Sequence, residues 1–262
     1  KNIMSRKKLL SILTIMLFCD VGFAQEKEVM VVRQTDGKEV RFDVSVVERV
    51  YVETESPSPE EESVDFGLPS GIRWATCNLG AASPEDYGDY YGWGCSEPYA
   101  SDDDVTWSLY FRKIGGSGSS SYDCGTDKDP LKDYVYPNAT SIAGTEWDVA
   151  RRKLGGSWRM PTLQEVEELM NKANCTWEWT MENGVKGYKV TSKHNGNSIF
   201  LPAPGYRYGN ALYNCGSYGG YWSASPFQSN SDIVNYMLLN ASYFDWNFYG
   251  RCYGFTIRPV SE

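Results

Sequence analysis

Between residues 206 and 255, 15 of 50 positions are aromatic, 18 are Asn, Ser or Gly, and there is no Lys or Glu. Aromatic residues fit the pleated surface of strands, and Gly, Asn and Ser break them into turns. The stretch therefore predicts short aromatic strands alternating with loops. The same residue set has a second meaning. Tyr and Trp give large, stiff, amphipathic contact area, and Ser, Gly and Asn give adaptable hydrogen bonding, which is the composition of a recognition surface. Aromatic rings dominate cores as readily as interfaces, so composition alone leaves each ring with two roles.

Upstream, the pattern changes period. Thr162 and Glu165 have capping-box spacing after Pro161, and Leu163, Val166, Leu169, Met170 and Ala173 recur at helical intervals. A second helix is predicted over 145–154, with Trp147, Ala150 and Leu154 on one face and Gly155 at its end. Strand-like runs follow at 175–180, 188–192 and 198–201, with Asn183-Gly184 and Asn195-Gly196 marking turns. Residues 101–144 hold a Gly/Ser tract at 115–121 and scattered Asp, and read mostly as a loop insertion. Two helices followed by an antiparallel meander with long loops define an α+β class.

The first 63 residues read as three pieces. Lys1, Arg6, Lys7 and Lys8 precede a short apolar run over 9–18, and small residues stand before Gln25, so 1–24 reads as a signal peptide and the protein as exported, secreted or on the cell surface. The run is shorter than the ~20 residues that span a bilayer. Bulky Phe18 argues against a lipid anchor on Cys19. Residues 25–54 form a small β element, with β-like runs at 28–34, 40–44 and 46–52 and a hairpin signal at Asp36-Gly37. The acidic, Pro-containing stretch 53–63 reads as a linker from about residue 55, and 64–262 as the main domain.

The net charge is −9, and removing 1–24, with four Lys/Arg against one Asp, makes it −12. No basic patch is available to follow a phosphate backbone, which argues against nucleic-acid binding. Beyond Cys19 there are six cysteines, at 77, 95, 124, 175, 215 and 252. An even number in an exported chain suggests disulfides, with 15 pairings open; buried free thiols are the other reading. None has C-x-x-C spacing, so neither zinc nor dithiol redox chemistry is supported.

Five phrases together carry a resemblance: VDFGLPSGIRWATCN at 64–78, YGDYYGW at 87–93, LGGSWRMPT at 154–162, GGYWSAS at 219–225 and the closing GFTIR at 254–258. They resemble the Fibrobacter succinogenes major paralogous domain, a family of exported Bacteroidetes-type proteins, over essentially all of 64–262, with the 101–144 insertion least covered. The resemblance implies a C-type-lectin-like fold, related to formylglycine-generating enzymes and to the variable proteins of diversity-generating retroelements. Within these phrases Trp74, Trp158, Met160, Trp222, Phe255 and Arg258 read as framework.

No enzyme is predicted. The one histidine, His194, sits in a Lys-His-Asn-Gly turn, and no G-x-S-x-G, P-loop or H-E-x-x-H motif occurs. A glycosidase needs two carboxylates at a set separation, which sequence does not show. Formylglycine-type oxidation needs reactive paired cysteines, and the Arg-rich closing signature of those enzymes is missing. Glu97-Pro98-Tyr99 is not the Glu-Pro-Asn of calcium-dependent sugar-binding lectins, and the run at 102–104 reads as a solvated loop, so no metal or cofactor is predicted.

The chain thus reads as an exported binding or adhesion module for a glycan or protein ligand. Loops over 206–218 and 241–251 would form one exposed surface from Tyr208, Asn210, Tyr213, Tyr218, Tyr243, Asp245, Trp246, Asn247, Tyr249 and Arg251. Asp245 and Arg251 would add charge selectivity. A structural or adhesive subunit attached through 25–54 is the alternative. Asn, Tyr, Ser and Asp are also interconverted by changes at adenines in Asn codons, the bias of retroelement mutagenesis.

Overall fold

A computed structural model describes residues 29–33, 39–43, 63–120, 129–135 and 138–262. The predicted signal peptide, the run at 46–52, nearly all of the predicted linker and Cys124 lie outside the described residues. The chain divides into two units, Lys1–Ser56 and Pro57–Glu262. In the first, β1 (Val29–Arg33) pairs antiparallel with β2 (Glu39–Asp43), Val29 opposite Asp43 and Arg33 opposite Glu39.

The second unit is α+β, built from short helices and small antiparallel sheets. Its first strands, β3 (Ser63–Asp65) and β4 (Arg73–Ala75), are joined through a turn in which Gly71 N donates to Leu68 O at 2.9 Å. Gly71 has φ 73°, a backbone state that only glycine enters freely.

Three α-helices follow among the described residues. Trp107–Lys113 is α1, where the sequence predicts loop. Thr106 Oγ1 caps it by accepting from Leu109 N at 3.3 Å, and Trp107 packs on Tyr110 and Phe111. Those rings have helical spacing, but with neither Leu nor Ala runs around them and Gly/Ser and Asp tracts on both sides, tertiary packing carries the helix rather than propensity.

Helix α2 (Val149–Leu154) starts later than predicted because Asp148 caps it, its carboxylate accepting from Ala150 N and Arg151 N at 2.9 and 3.1 Å. Helix α3 (Leu163–Met170) carries the predicted capping box in full. Thr162 Oγ1 accepts from Glu165 N at 3.3 Å and the Glu165 carboxylate accepts from Thr162 N at 2.8 Å.

The three strands after α3 are β5 (Cys175–Glu182), β6 (Val185–Ser192) and β7 (Ser198–Pro202), in order β5–β6–β7. Asn183 and Gly184 join the first two with φ of 47° and 85°, the two left-handed residues of a type I′ turn. A small hairpin, β8 (Tyr206–Tyr208) and β9 (Ala211–Tyr213), precedes β10 (Tyr218–Pro226), β11 (Ile233–Asn240) and β12 (Phe244–Gly250), which form a sheet in order β10–β11–β12. The last strand, β13 (Val260–Ser261), returns to β4, so the end of this unit closes on its beginning.

The β10–β11–β12 sheet separates two cores, because successive side chains of a strand point to opposite faces. Trp222, Val234, Tyr236 and Leu238 join Tyr91, Trp93, Tyr110, Phe111 and Phe255 on one side. Tyr221, Met237 and Leu239 join Trp74, Val166, Leu169, Val190 and Leu201 on the other. Trp158, Met160, Phe255 and Arg258 are buried as the framework reading requires. The Arg258 guanidinium donates to Asn78 Oδ1 at 2.8 Å and to the carbonyls of Ala75, Thr76 and Phe200 at 3.1, 2.5 and 2.8 Å. It ties the closing segment to the beginning of the unit.

The disulfides suggested by the cysteine count are not formed among the described residues. Cys77, Cys95, Cys175, Cys215 and Cys252 are free thiols. Cys95 and Cys252 are buried in one core and Cys175 in the other, where a thiol behaves as a small apolar side chain. Burial pushes Cys95 and Cys252 up to about 12 and Cys175 up to about 11, so these thiols stay protonated and unreactive near neutral pH.

Candidate functional site

The β8–β9 hairpin turns through Gly209 and Asn210, with Tyr208 paired to Ala211. Gly209 has φ 57° at the first central position, the place where a two-residue type II′ turn needs glycine. Alternation along β8 then sorts its three residues. Arg207 points inward and is buried, donating to the carbonyls of Ala100 and Ser101, while its backbone exchanges hydrogen bonds with Gly254 at 2.8 and 2.9 Å. Tyr206 and Tyr208 point the other way. Gly205 permits the hairpin's close seat, because a Cβ there would lie 2.0 Å from Tyr213 O.

Strand β12 is the outer strand of its sheet, and its alternation creates two surfaces. Asp245, Asn247 and Tyr249 stand opposite Leu238, Tyr236 and Val234, on the face shared with the first core. Phe244, Trp246 and Phe248 stand opposite Leu239, Met237 and Asn235, on the other face. The ten predicted residues therefore do not form one surface.

Four of them gather. Tyr208, Tyr213 and Tyr249 are 39%, 43% and 40% exposed, and half-buried Tyr218 anchors the group through a 2.7 Å hydrogen bond between its hydroxyl and that of Tyr236. Two tyrosines outside the predicted set organise this patch. Tyr206 stacks on Tyr213 at 5.3 Å and meets Tyr218, Tyr249 and Tyr253 edge-on or tilted. Tyr253 stacks on Tyr208 at 4.3 Å and meets Tyr249 edge-on, also at 4.3 Å. The signal for Tyr206 was present in the sequence as its two-residue spacing from Tyr208; Tyr253 stands immediately before the closing phrase at 254–258 and was read with that framework.

Ring pairs of this kind contribute about 0.5–1.5 kcal/mol each beyond area burial, so the rings brace one another. Burial pushes the phenols of Tyr206, Tyr218 and Tyr253 above the ordinary tyrosine value and Tyr236 up to about 12. At neutral pH their hydroxyls are uncharged.

The other six residues are elsewhere. Asn210 is exposed at the hairpin tip. Asp245 and Asn247 lie on the Tyr249 face, but their side chains are turned to the strand's own edge. Asp245 Oδ1 accepts from Trp246 N and Asn247 Oδ1 from Phe248 N, each at 2.8 Å. Tyr243 is exposed in the β11–β12 turn, where Asn240 Oδ1 holds its backbone N–H at 3.2 Å. Trp246 is exposed on the opposite face from Tyr249.

Arg251 is not on the surface at all. It is 0% exposed, ion-paired with Asp129 and packed against the rings of Tyr110 and Phe111 at 5.5 and 5.9 Å. It gives no charge selectivity to the exposed face. The cause is long-range: Trp93 N donates to Arg251 O at 2.9 Å, drawing the residue under the rim of the first core.

Among the described residues, no group of three or more His, Cys, Asp or Glu is placed to hold a metal ion, and no helix is long and apolar enough to cross a membrane. His194 is exposed, with Nε2 3.3 Å from Asn174 Oδ1. No family model, no curated protein and no solved structure matches the chain.

Proposed function

We propose that the chain is an exported binding or adhesion module of C-type-lectin-like fold, and that the tyrosine patch is its principal contact surface. One observation carries the reading. Tyr208, Tyr213 and Tyr249 present exposed rings that are each braced by a neighbouring ring. Bracing removes much of the entropy that binding would otherwise cost, and phenol rings join apolar contact with a hydroxyl, which suits a glycan face or a protein epitope. The fold reading is supported by the burial of Trp74, Trp93, Trp222, Phe255 and Arg258, the framework positions of the phrases that carry the resemblance.

The test uses the full chain on a glycan array and in pull-downs from surface extracts, with Tyr208→Ala/Tyr249→Ala as comparison. Ligand retention falling at least about tenfold in a variant with native near-UV circular dichroism supports the reading. Unchanged retention, or unfolding of the variant, makes the rings structural.

A second reading is that the exposed positions of the C-terminal segment are diversified. Asn210, Tyr213, Asn214, Ser217, Ser242, Tyr243, Asp245, Asn247 and Tyr249 are all exposed. Replacing them would leave both cores untouched. A near-copy of the 3′ coding sequence beside a reverse transcriptase gene is what this reading requires.

A further inference from the structure

A groove lies at the other end of β12 from Tyr249. It is open to solvent and has a volume of about 500 Å³ between the β5–β6 strands and the β11–β12 turn, within the ~300–1,000 Å³ usual for small-ligand clefts. Tyr249 stands five residue steps along β12 from Phe244 in its wall, or about 17 Å at strand rise, so it is distinct from the tyrosine patch and does not depend on it.

The wall is rigid. Trp177 and Phe244 stack at 4.3 Å with planes 16° apart, and Tyr188 meets both edge-on at 5.5 Å. Trp177 Nε1 donates to Leu169 O at 3.2 Å and the Tyr188 hydroxyl to Asn240 O at 3.0 Å, which fixes both rings. Tyr243, 53% exposed, adds an open ring at the turn.

The charge here is opposite to that of the chain. Lys172 and Lys193 both line the groove and no Asp or Glu does, in a protein with net charge −9. Lys193 Nζ donates to the Lys172 carbonyl at 2.5 Å, and Lys172 Nζ lies 5.9 Å from the Phe244 ring centre. Among the described residues neither ammonium is ion-paired with a carboxylate. Glu168, close enough to act on the Cys175 thiol, is engaged by the backbone N–H and hydroxyl of Ser70. Thr176 and Ser242 complete the lining with hydroxyls.

We propose that this groove binds an acidic sugar residue. Its anionic group meets Lys172 and Lys193, its C–H face lies on Tyr243, and its hydroxyls meet Thr176 and Ser242. Ammoniums alone would select any anion and rings alone any apolar surface. Only a ligand that is anionic, polyhydroxylated and flat-faced uses the whole lining.

The experiment titrates the full chain with an oligogalacturonate, a sulfated galacto-oligosaccharide and the uncharged parent, read by calorimetry and by intrinsic tryptophan fluorescence. Binding of either acidic sugar, weakened as salt shortens the screening length and absent for the neutral one, is the expected result. The two acidic sugars distinguish carboxylate from sulfate. Lys172→Gln/Lys193→Gln should weaken that binding by about tenfold or more at an unchanged melting temperature, and Tyr243→Ala should weaken it too. Equal binding of the neutral sugar, no binding of either acidic one, or full affinity in the double lysine variant overturns the proposal. So does loss of acidic-sugar binding in Tyr208→Ala/Tyr249→Ala with the lysine variant unaffected, because the ligand then belongs to the tyrosine patch.

Discussion

The ring of Tyr208 lies parallel to that of Tyr253, centroids 4.3 Å apart and planes at 11°. One ring comes from a hairpin and the other from the segment after the last long strand, so their stacking joins a local turn to the tertiary fold. Tyr208 is partly exposed, and truncating it forfeits little beyond the ring pair. Tyr208→Ala should lower unfolding free energy by only about 1 kcal/mol, read from urea denaturation. A loss above about 3 kcal/mol would make Tyr208 a core residue and remove it from the proposed contact surface.

Arg251 makes the opposite prediction. Removing one partner of a buried pair leaves the other charge unpaired in the interior, at a cost of about 3–5 kcal/mol. Arg251→Ala should therefore destabilise the protein by that amount, while Arg251→Met, which keeps apolar bulk beside Tyr110 and Phe111, should be milder only when combined with Asp129→Asn. Native stability in Arg251→Ala, measured by thermal and urea melts, would contradict the buried pair.

Strand β12 exposes a sheet edge bearing Trp246 and Phe248, the kind of edge that recruits another strand. Asp245 and Asn247 occupy two of its outward N–H donors with their own side chains. Asp245→Ala/Asn247→Ala should free those donors and increase self-association with concentration in sedimentation velocity, relative to the unmodified protein. A double variant with unaltered sedimentation would show that these caps do not guard the edge.

Glu165 sets an acid limit. Burial raises its carboxyl, but the paired bonds from Arg159 at 2.6 and 2.8 Å and the Thr162 N–H outweigh burial and hold it below its ordinary 4.5. A carboxylate lowered on folding contributes stability that is present above its unfolded value and lost as pH falls through the folded one. Melting temperature should therefore decline below about pH 4.5, and Glu165→Gln should flatten that decline while lowering stability at neutral pH. An identical pH profile in Glu165→Gln would exclude this pair as its origin.

Local chemistry was legible wherever a few consecutive residues carry it. The Thr162–Glu165 box, the Asn183-Gly184 turn and the strand-like runs that pair as β5 and β6 all close within one turn or one strand pair. Helix α1 was not legible, because Trp107, Tyr110 and Phe111 are helical only by virtue of the core they enter. The cysteine count misled, because parity says nothing about whether two thiols meet, and the described ones fill cores as free side chains.

By itself the sequence determined the α+β class, the caps and turns, and the presence of an aromatic, Asn/Ser-rich segment suited to contact. Tertiary structure decided how that segment is divided. It sent Trp222 and Phe255 into the core, gathered Tyr206, Tyr208, Tyr213, Tyr249 and Tyr253 at one patch, turned Trp246 to the opposite face and buried Arg251. The reason is physical: alternation places a side chain on one of two faces, but only long-range strand pairing determines which face meets a core and which strand is left at the edge.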